Sequence, residues 1–239
     1  MKNILKSLKI LKKLGIKTIK KSFEDEGSTF EEIQIVRNLT SKLDMKLNVK
    51  IGGCEAKSDI AKCQNINVDG IIAPMIETPF AFKKFIQTSS KAENLSLFIN
   101  IESKTGFSNL KKILSMSNIG FLKGVVIGRS DLVSSFGYSS DYVNSKNIVQ
   151  KIFEALKNIK EKNLITKMGG NLTFKSIDTI KSFYNARLLD AVETRNIEIP
   201  VNSKTLKNMK DIISEALIFE ANFIEYLKNY HLDISKDLL

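Results

Sequence analysis

The fold that this sequence predicts is a parallel (β/α)-barrel, and three observations carry the prediction. Short apolar strands alternate with helices of roughly ten to seventeen residues along the chain, a spacing that demands right-handed crossovers and a parallel sheet. No G-x-G-x-x-G follows any strand, so the main competitor, a doubly wound open sheet in its dinucleotide-binding form, has nothing to support it. Charged residues and glycines collect just after the strands, where a parallel barrel carries its ligands.

The chain opens with 1-MKNILKSLKILKKLG-15, which is basic and places Ile4, Leu5, Leu8 and Leu11 on one helical face. It has no uninterrupted apolar core and no small-residue cleavage site. It therefore reads as an extra N-terminal helix packed on the domain, with a membrane-surface helix as the alternative. The strand 16–23 runs into the acidic turn Glu24, Asp25, Glu26, Gly27. Ser28, with Glu31 three residues on, completes a capping box for the helix 29–45. The strand 46–51 ends in a Gly52-Gly53 turn, and the alternation repeats: helix 55–65, strand 69–75, helix 79–91, strand 95–102, helix 107–116, strand 121–128. The second half continues with helix 145–162, strand 164–170, helix 174–184, strand 188–194 and a long helix near 203–230. Seven strands are clear. A (β/α)8 TIM barrel then needs an eighth that is irregular, replaced or supplied near a terminus.

With 239 residues, 43% of them hydrophobic, the chain can fill one large core, so residues 1–239 are expected to form a single domain. The 3 prolines and 12 glycines are spread out and mark no linker. Apolar runs such as 124-GVVIG-128 are too short to cross a bilayer. Cys54 and Cys63 have no histidine or second pair nearby, which suggests neither a zinc site nor a disulfide framework and fits a reducing cytoplasm. The net charge of +11 invites a nucleic-acid reading. Yet only four of the 37 basic residues are arginine, and the lysines recur on outer helix faces without interleaved exposed aromatics. That pattern resembles the codon bias of an AT-rich genome. The expected partner is a small anionic substrate, with neither nucleic acid nor membrane.

The residues at the strand ends include Glu24 and Glu26, then Lys50 with Gly52 and Gly53, then Pro74, Met75 and Glu77, then Glu102. Gly128, Arg129, Ser130 and Asp131 follow the fifth strand, Gly169, Gly170 and Asn171 the sixth, and Glu193 and Arg195 the seventh. Glu102 and Asp131 come from neighbouring strands and would point into one mouth. Oxygen-only ligation of this kind suits Mg²⁺ or Mn²⁺. The plainer alternative is that Glu102 pairs with Lys104 or caps a helix, and that Asp131 caps the short helix after it.

The stretches 69-DGIIAPMIETPFAFKKF-85, 98-FINIESKTGFSNLKKIL-114 and 124-GVVIGRSDLVSSFG-137 resemble consecutive motifs of the HpcH/HpaI aldolase and citrate lyase beta-subunit superfamily. The resemblance runs in order over roughly residues 46 to 196. It implies a (β/α)8 barrel and a Mg²⁺ or Mn²⁺ ion held at Glu102 and Asp131. It further implies a carbon–carbon lyase or aldolase that acts on a 2-oxo acid, or a related carboxylate or thioester, through a metal-stabilised enolate. Family members are often homo-oligomers.

The chain departs from the family pattern in two places. Where the family has an arginine gripping the substrate's carboxylate and oxo group, this sequence has Lys50, which keeps the charge and loses the bidentate fork. Arg129 and Arg195 stand at strand ends and are candidates to restore that grip, with Gly52, Gly53, Pro74, Met75, Gly128 and Ser130 as neighbouring substrate contacts. Where aldolase members have a histidine base, this chain has the acidic turn, so Glu24 or Glu26 is the expected base, against the alternative of a solvated turn before a helix. The only histidine, His231, sits in the C-terminal tail. These departures leave a second function open: a barrel that keeps the metal-binding core and serves as a binding or scaffold subunit.

Overall fold

A computed structural model of the chain describes residues 1–237 except 91 and 93, with the backbone alone for 233–237. Strands β1 (Thr18–Ser22), β2 (Lys46–Lys50), β3 (Gly70–Ala73), β4 (Ser96–Ile101), β5 (Leu122–Gly128), β6 (Ile165–Gly169) and β7 (Ala191–Glu193) lie side by side in chain order, each parallel to the last. Helix α1 (Lys2–Lys13) precedes them. Helices α2 (Phe30–Lys42), α3 (Lys57–Asn65), α4 (Pro79–Ser89), α5 (Lys104–Leu114), α6 (Arg129–Ser135), α7 (Lys146–Lys160) and α8 (Ile177–Asn185) fill the connections. The expected last residue of the helix 79–91 lies outside the described residues. Ile4, Leu8 and Leu11 of α1 are buried, the outcome for an amphipathic helix packed on the barrel.

The sheet closes through an eighth strand of the opposite sense. β8 (Ile197–Pro200) pairs antiparallel with β7, Glu193 opposite Glu198, and antiparallel with β1, Ile19 opposite Ile197. Only Thr194, Arg195 and Asn196 separate β7 from β8. A parallel crossover needs a dozen or more residues, so a hairpin is the one connection this length allows. The chain therefore leaves the barrel at the end opposite the strand mouths. There the short α9 (Ser203–Lys207) meets the end of α1, with Lys204 Nζ donating to Lys13 O. Helix α10 (Met209–Asp237) then returns along the wall, packed on α1.

The first crossover helix starts one residue later than the Ser28–Glu31 pattern predicts. Thr29 and Glu32 form the capping box, Thr29 Oγ1 accepting from Glu32 N and Glu32 Oε2 from Thr29 N. The motif occurs twice in overlapping registers, and the second is used. Glu32 Oε1 also meets His231 Nε2 at 2.6 Å, and the only histidine is not among the residues that line the cavity at the barrel mouth.

Most apolar burial lies between the strands and the surrounding helices. Inside the barrel there is only a small cluster of Ile72, Phe98 and Val126, with Ile165 against it. Polar side chains fill the rest. Lys167 Nζ lies 2.6 Å from Glu198 Oε2 and 3.8 Å from the centre of the Phe98 ring, and Asn48 Nδ2 donates to the same glutamate. Each buried ammonium inside the barrel faces a carboxylate, which is the condition for tolerating charge at such depth.

Candidate active site

The C-terminal ends of the parallel strands open on a cavity of about 480 Å³. Its charged wall comes from many elements: Lys20 of β1, Asp25 of the acidic turn, Lys50 of β2, Glu102 after β4, Asp131 in the first turn of α6, Glu193 of β7, Arg195 of the hairpin and Glu220 of α10. This is where the dipolar strand ends and loops of a parallel barrel place ligand-binding groups.

Glu102 is buried, 2% exposed, and both of its carboxylate oxygens accept hydrogen bonds. Oε1 accepts from Met75 N at 3.0 Å, and Oε2 takes Asn100 Nδ2 and, at 3.4 Å, Lys50 Nζ. Met75 reaches this position with φ +50°, a left-handed conformation unusual for a methionine, so its side chain points to solvent while its amide serves Glu102. Burial pushes the Glu102 carboxyl above its ordinary range, and the charge of Asp131 adds to the push, against the pull of Lys50 and the Met75 amide. Lys50 Nζ also stands 3.5 Å from Asp25 Oδ2.

On the opposite wall Lys20 Nζ is 2.9 Å from Glu193 Oε2. Burial opposes both charges. The mutual attraction, with further cations near Glu193 and further carboxylates near Lys20, outweighs it, holding Glu193 below and Lys20 above their ordinary values. Two buried acceptors here have no hydrogen-bond partner among the described residues: Glu193 Oε1 and Asn100 Oδ1. The hairpin that carries Arg195 is held by Glu220, whose Oε1 accepts from Thr194 Oγ1 and from Asn196 N, each at 2.7 Å.

The donor set fits a divalent ion of the Mg²⁺ type. Glu102 and Asp131 share the cavity, and the charge of Asp131 helps to push the Glu102 carboxyl up, a repulsion that an ion between them would relieve. Asn100 Oδ1 is a further unpartnered oxygen on the same wall. Among the described residues no group of three or more His, Cys, Asp or Glu side chains forms a closed cage. An ion that keeps several waters or substrate oxygens needs none.

Of the residues expected at the site, Lys50, Glu102, Gly128, Ser130, Asp131 and Arg195 line the cavity. Seven do not. Glu24 is exposed and lies against Gly52, whose amide donates to Asp59, and Gly53 is half-buried with open space where a side chain would stand. Glu26 is turned outward and locked between Lys21 Nζ and Asn196 Nδ2. Pro74 and Met75 flank the mouth, Met75 acting through its backbone. Arg129 is buried beneath the mouth, with Nε donating to Gly169 O at 3.1 Å and Nη1 and Nη2 to Asn144 Oδ1, Asn171 O and Ser176 Oγ. Burial lowers its guanidinium to about 10. Its donors tie the β6–α8 loop to α6 and leave no fork for a substrate. The acidic turn does open on this mouth, but through Asp25, the member of the triplet that sequence reasoning passed over. Lys20, Asn100 and Glu220 were also missed as site residues, and Glu193, expected at the end of the seventh strand, had been given no role. β1 carries two adjacent lysines, Lys20 and Lys21, of which the pleat turns one inward, and that was the available signal for Lys20; nothing local marked Glu220.

Residues 34–168 match the sequence profile of the HpcH/HpaI aldolase/citrate lyase family. No curated protein matches the chain by sequence. Among solved structures, an HpcH/HpaI aldolase from Desulfitobacterium hafniense superposes with TM-score 0.65 at 10% identity, covering 89% of this chain and 88% of that one. An HpcH/HpaI aldolase/citrate lyase family protein from Burkholderia cenocepacia gives TM-score 0.65 at 11% identity, over 89% and 90% of the two chains. A citrate lyase from Burkholderia xenovorans gives 0.62 at 13%, over 87% and 72%. At such identities the likeness establishes the fold.

Proposed function

Because this chain belongs to the HpcH/HpaI aldolase/citrate lyase family, whose members are carbon–carbon lyases, we propose that it breaks or forms a carbon–carbon bond beside the oxo group of a 2-oxo acid or related carboxylate or thioester. The observation that carries this reading is the convergence of Glu102, Asp131 and Lys50 on one cavity at the mouth of the barrel. Glu102 and Asp131 would hold Mg²⁺ or Mn²⁺, which supplies Lewis-acid stabilisation of the negative charge that develops as the bond breaks.

The remaining roles belong to the chain's own side chains. Lys50 is buried in the cavity wall and places one positive charge against the substrate's carboxylate, as a point charge without the geometry of an arginine fork. Arg195, exposed at the hairpin tip, presents a guanidinium to an anion entering from solvent. Gly128 and Ser130 form the wall beside Glu102 and leave space for the substrate. His231 is engaged with Glu32 and does not line the cavity, so the proton is assigned to one of the cavity's carboxylates. The two free cysteines support a cytoplasmic setting, and the exposed Ile218 and Ile224 of α10 support a homo-oligomer.

The experiment is exchange of the C3 protons of pyruvate in deuterated water, followed by NMR with Mg²⁺ or Mn²⁺ and again with chelator. Metal-dependent exchange is the expected result. The second reading, a binding or scaffold subunit, draws on Lys50, whose ammonium already lies 3.4 Å from Glu102. It predicts no exchange with either ion.

A further inference from the structure

The family assignment leaves open which group in this chain moves the proton, and five carboxylates line the cavity: Asp25, Glu102, Asp131, Glu193 and Glu220. Four have other work. Glu102 and Asp131 are the donors proposed for the metal. Asp25 has a side chain 56% exposed to water and is paired with Lys50. Glu220 spends Oε1 on the hairpin, through Thr194 and Asn196.

Glu193 differs from all of these. It is 1% exposed, stands at the C-terminal end of β7, and is gripped at one oxygen only, Oε2, by Lys20. Oε1 is buried with no hydrogen-bond partner among the described residues. A buried carboxylate oxygen without a donor is costly and calls for an explanation, a catalytic role among them, and Glu193 is one of the residues that line the cavity. Asn100 Oδ1 is a second unpartnered acceptor of the cavity, but an amide oxygen cannot hold a proton near neutral pH. The Lys20 contact also fixes the Glu193 side chain without occupying the free oxygen, the arrangement of a base oriented by a third group.

On the carbon–carbon lyase reading above, we infer that Glu193 is the catalytic base, with Oε1 as the atom that accepts and returns the proton and Lys20 as the residue that positions it. In the cleavage direction Oε1 takes the proton of the hydroxyl on the departing carbon. That O–H pair becomes the carbonyl bond of the released fragment, and the carbon–carbon pair passes to the 2-oxo acid fragment as its enolate. The Glu193 carboxyl then gives the proton to C3, ending as the carboxylate it began as. No oxidant or second reactant is consumed. The same oxygen, run alone on pyruvate, removes and restores a C3 proton, so exchange in deuterated water reads the step directly.

The test compares wild type, Glu193→Gln and Lys20→Met/Glu193→Gln with Mn²⁺. The double variant removes both charges and so leaves no unpaired buried ammonium to unfold the barrel. Oxalate, added with the ion, is the binding probe, read as a rise in Tm. The expected result is exchange in the wild type, a fall of about a hundredfold or more in both variants, and an unchanged oxalate shift. Exchange retained in the folded variants overturns the assignment of Glu193 and leaves the lyase reading standing. Exchange and the oxalate shift lost together would make Glu193 a structural residue and overturn it as well. A wild type that exchanges with neither Mg²⁺ nor Mn²⁺ overturns the lyase reading and the base with it.

Discussion

Gly128 and Glu102 meet in a contact that only glycine allows: a Cβ at position 128 would lie 2.7 Å from Glu102 Cβ and 2.8 Å from its Oε2. β5 ends against the side chain that terminates β4, and the carboxylate is seated in the space the missing methyl leaves. The Met75 amide then holds the other oxygen from the β3 side. Gly128→Ala must displace either the strand end or the carboxylate. It should lower stability by about 1–3 kcal/mol in urea denaturation and weaken any response to Mg²⁺ or Mn²⁺. An unchanged metal response would show that the Glu102 position is not shaped by this contact.

Binding to the native state alone raises Tm by mass action, by about 2.7 kcal/mol of stability at a hundredfold excess over Kd. Millimolar Mg²⁺ or Mn²⁺ should raise the wild-type Tm. Glu102→Gln and Asp131→Asn, folded as judged by circular dichroism, should show no rise. A flat wild-type response would remove the metal assignment.

Arg129 is expected to matter for folding more than for ligand binding. Arg129→Ala strips donors from Gly169 O, Asn171 O, Asn144 and Ser176 together and opens a void where a 0% exposed side chain stood. A loss of about 3 kcal/mol or more follows from those bonds. Arg195→Ala, at the exposed hairpin tip, should leave the urea midpoint near that of the wild type and weaken oxalate binding in calorimetry. The reverse pattern would exchange the two roles.

The Lys20–Glu193 pair sets a pH window. Glu193 titrates below its ordinary 4.5 in the folded chain, so its contribution is present above 4.5 and disappears as pH falls through the lowered value. Lys20 titrates above its ordinary 10.5, so its contribution is present below 10.5 and disappears as pH rises through the raised value. Between these limits the pair should stabilise the barrel without pH dependence of its own. Glu193→Gln should lower the plateau and remove that share of the acid limb in a series of urea midpoints. An acid limb identical to the wild type's would locate the acid sensitivity elsewhere.

The cysteines should separate cleanly in reactivity. Cys63 is fully buried and burial pushes its thiol up to about 12, whereas Cys54 is half-buried. At pH 8 a disulfide reagent should titrate one thiol in the native chain and two in urea. Two fast thiols in the native chain would mean that α3 opens readily.

What the sequence by itself determined is what depends on neighbours along the chain. Apolar periodicity located β1 to β7 and most of the helices between them, and with the strands the sequence placed Glu102 and Asp131 at neighbouring strand ends on one mouth. What only the tertiary structure decided depends on closure of the barrel and on the phase of the pleat. Whether Glu24, Asp25 or Glu26 faces the cavity is set by how the turn lies on Lys50 and Asn196, two partners distant in sequence. Arg129 turns inward because acceptors from the β6–α8 loop and from the segment before α7 surround it, and a strand-end position carries no record of that. The eighth strand was missed because 197-IEIP-200 is short and the hairpin before it holds none of the glycine or Asn-Gly signals of a two-residue turn. Its antiparallel sense then brings β8 against β1 and seats Glu193 beside Lys20, 173 residues apart along the chain. A pairing over that distance is created by closing the sheet, and local pattern has no means of expressing it.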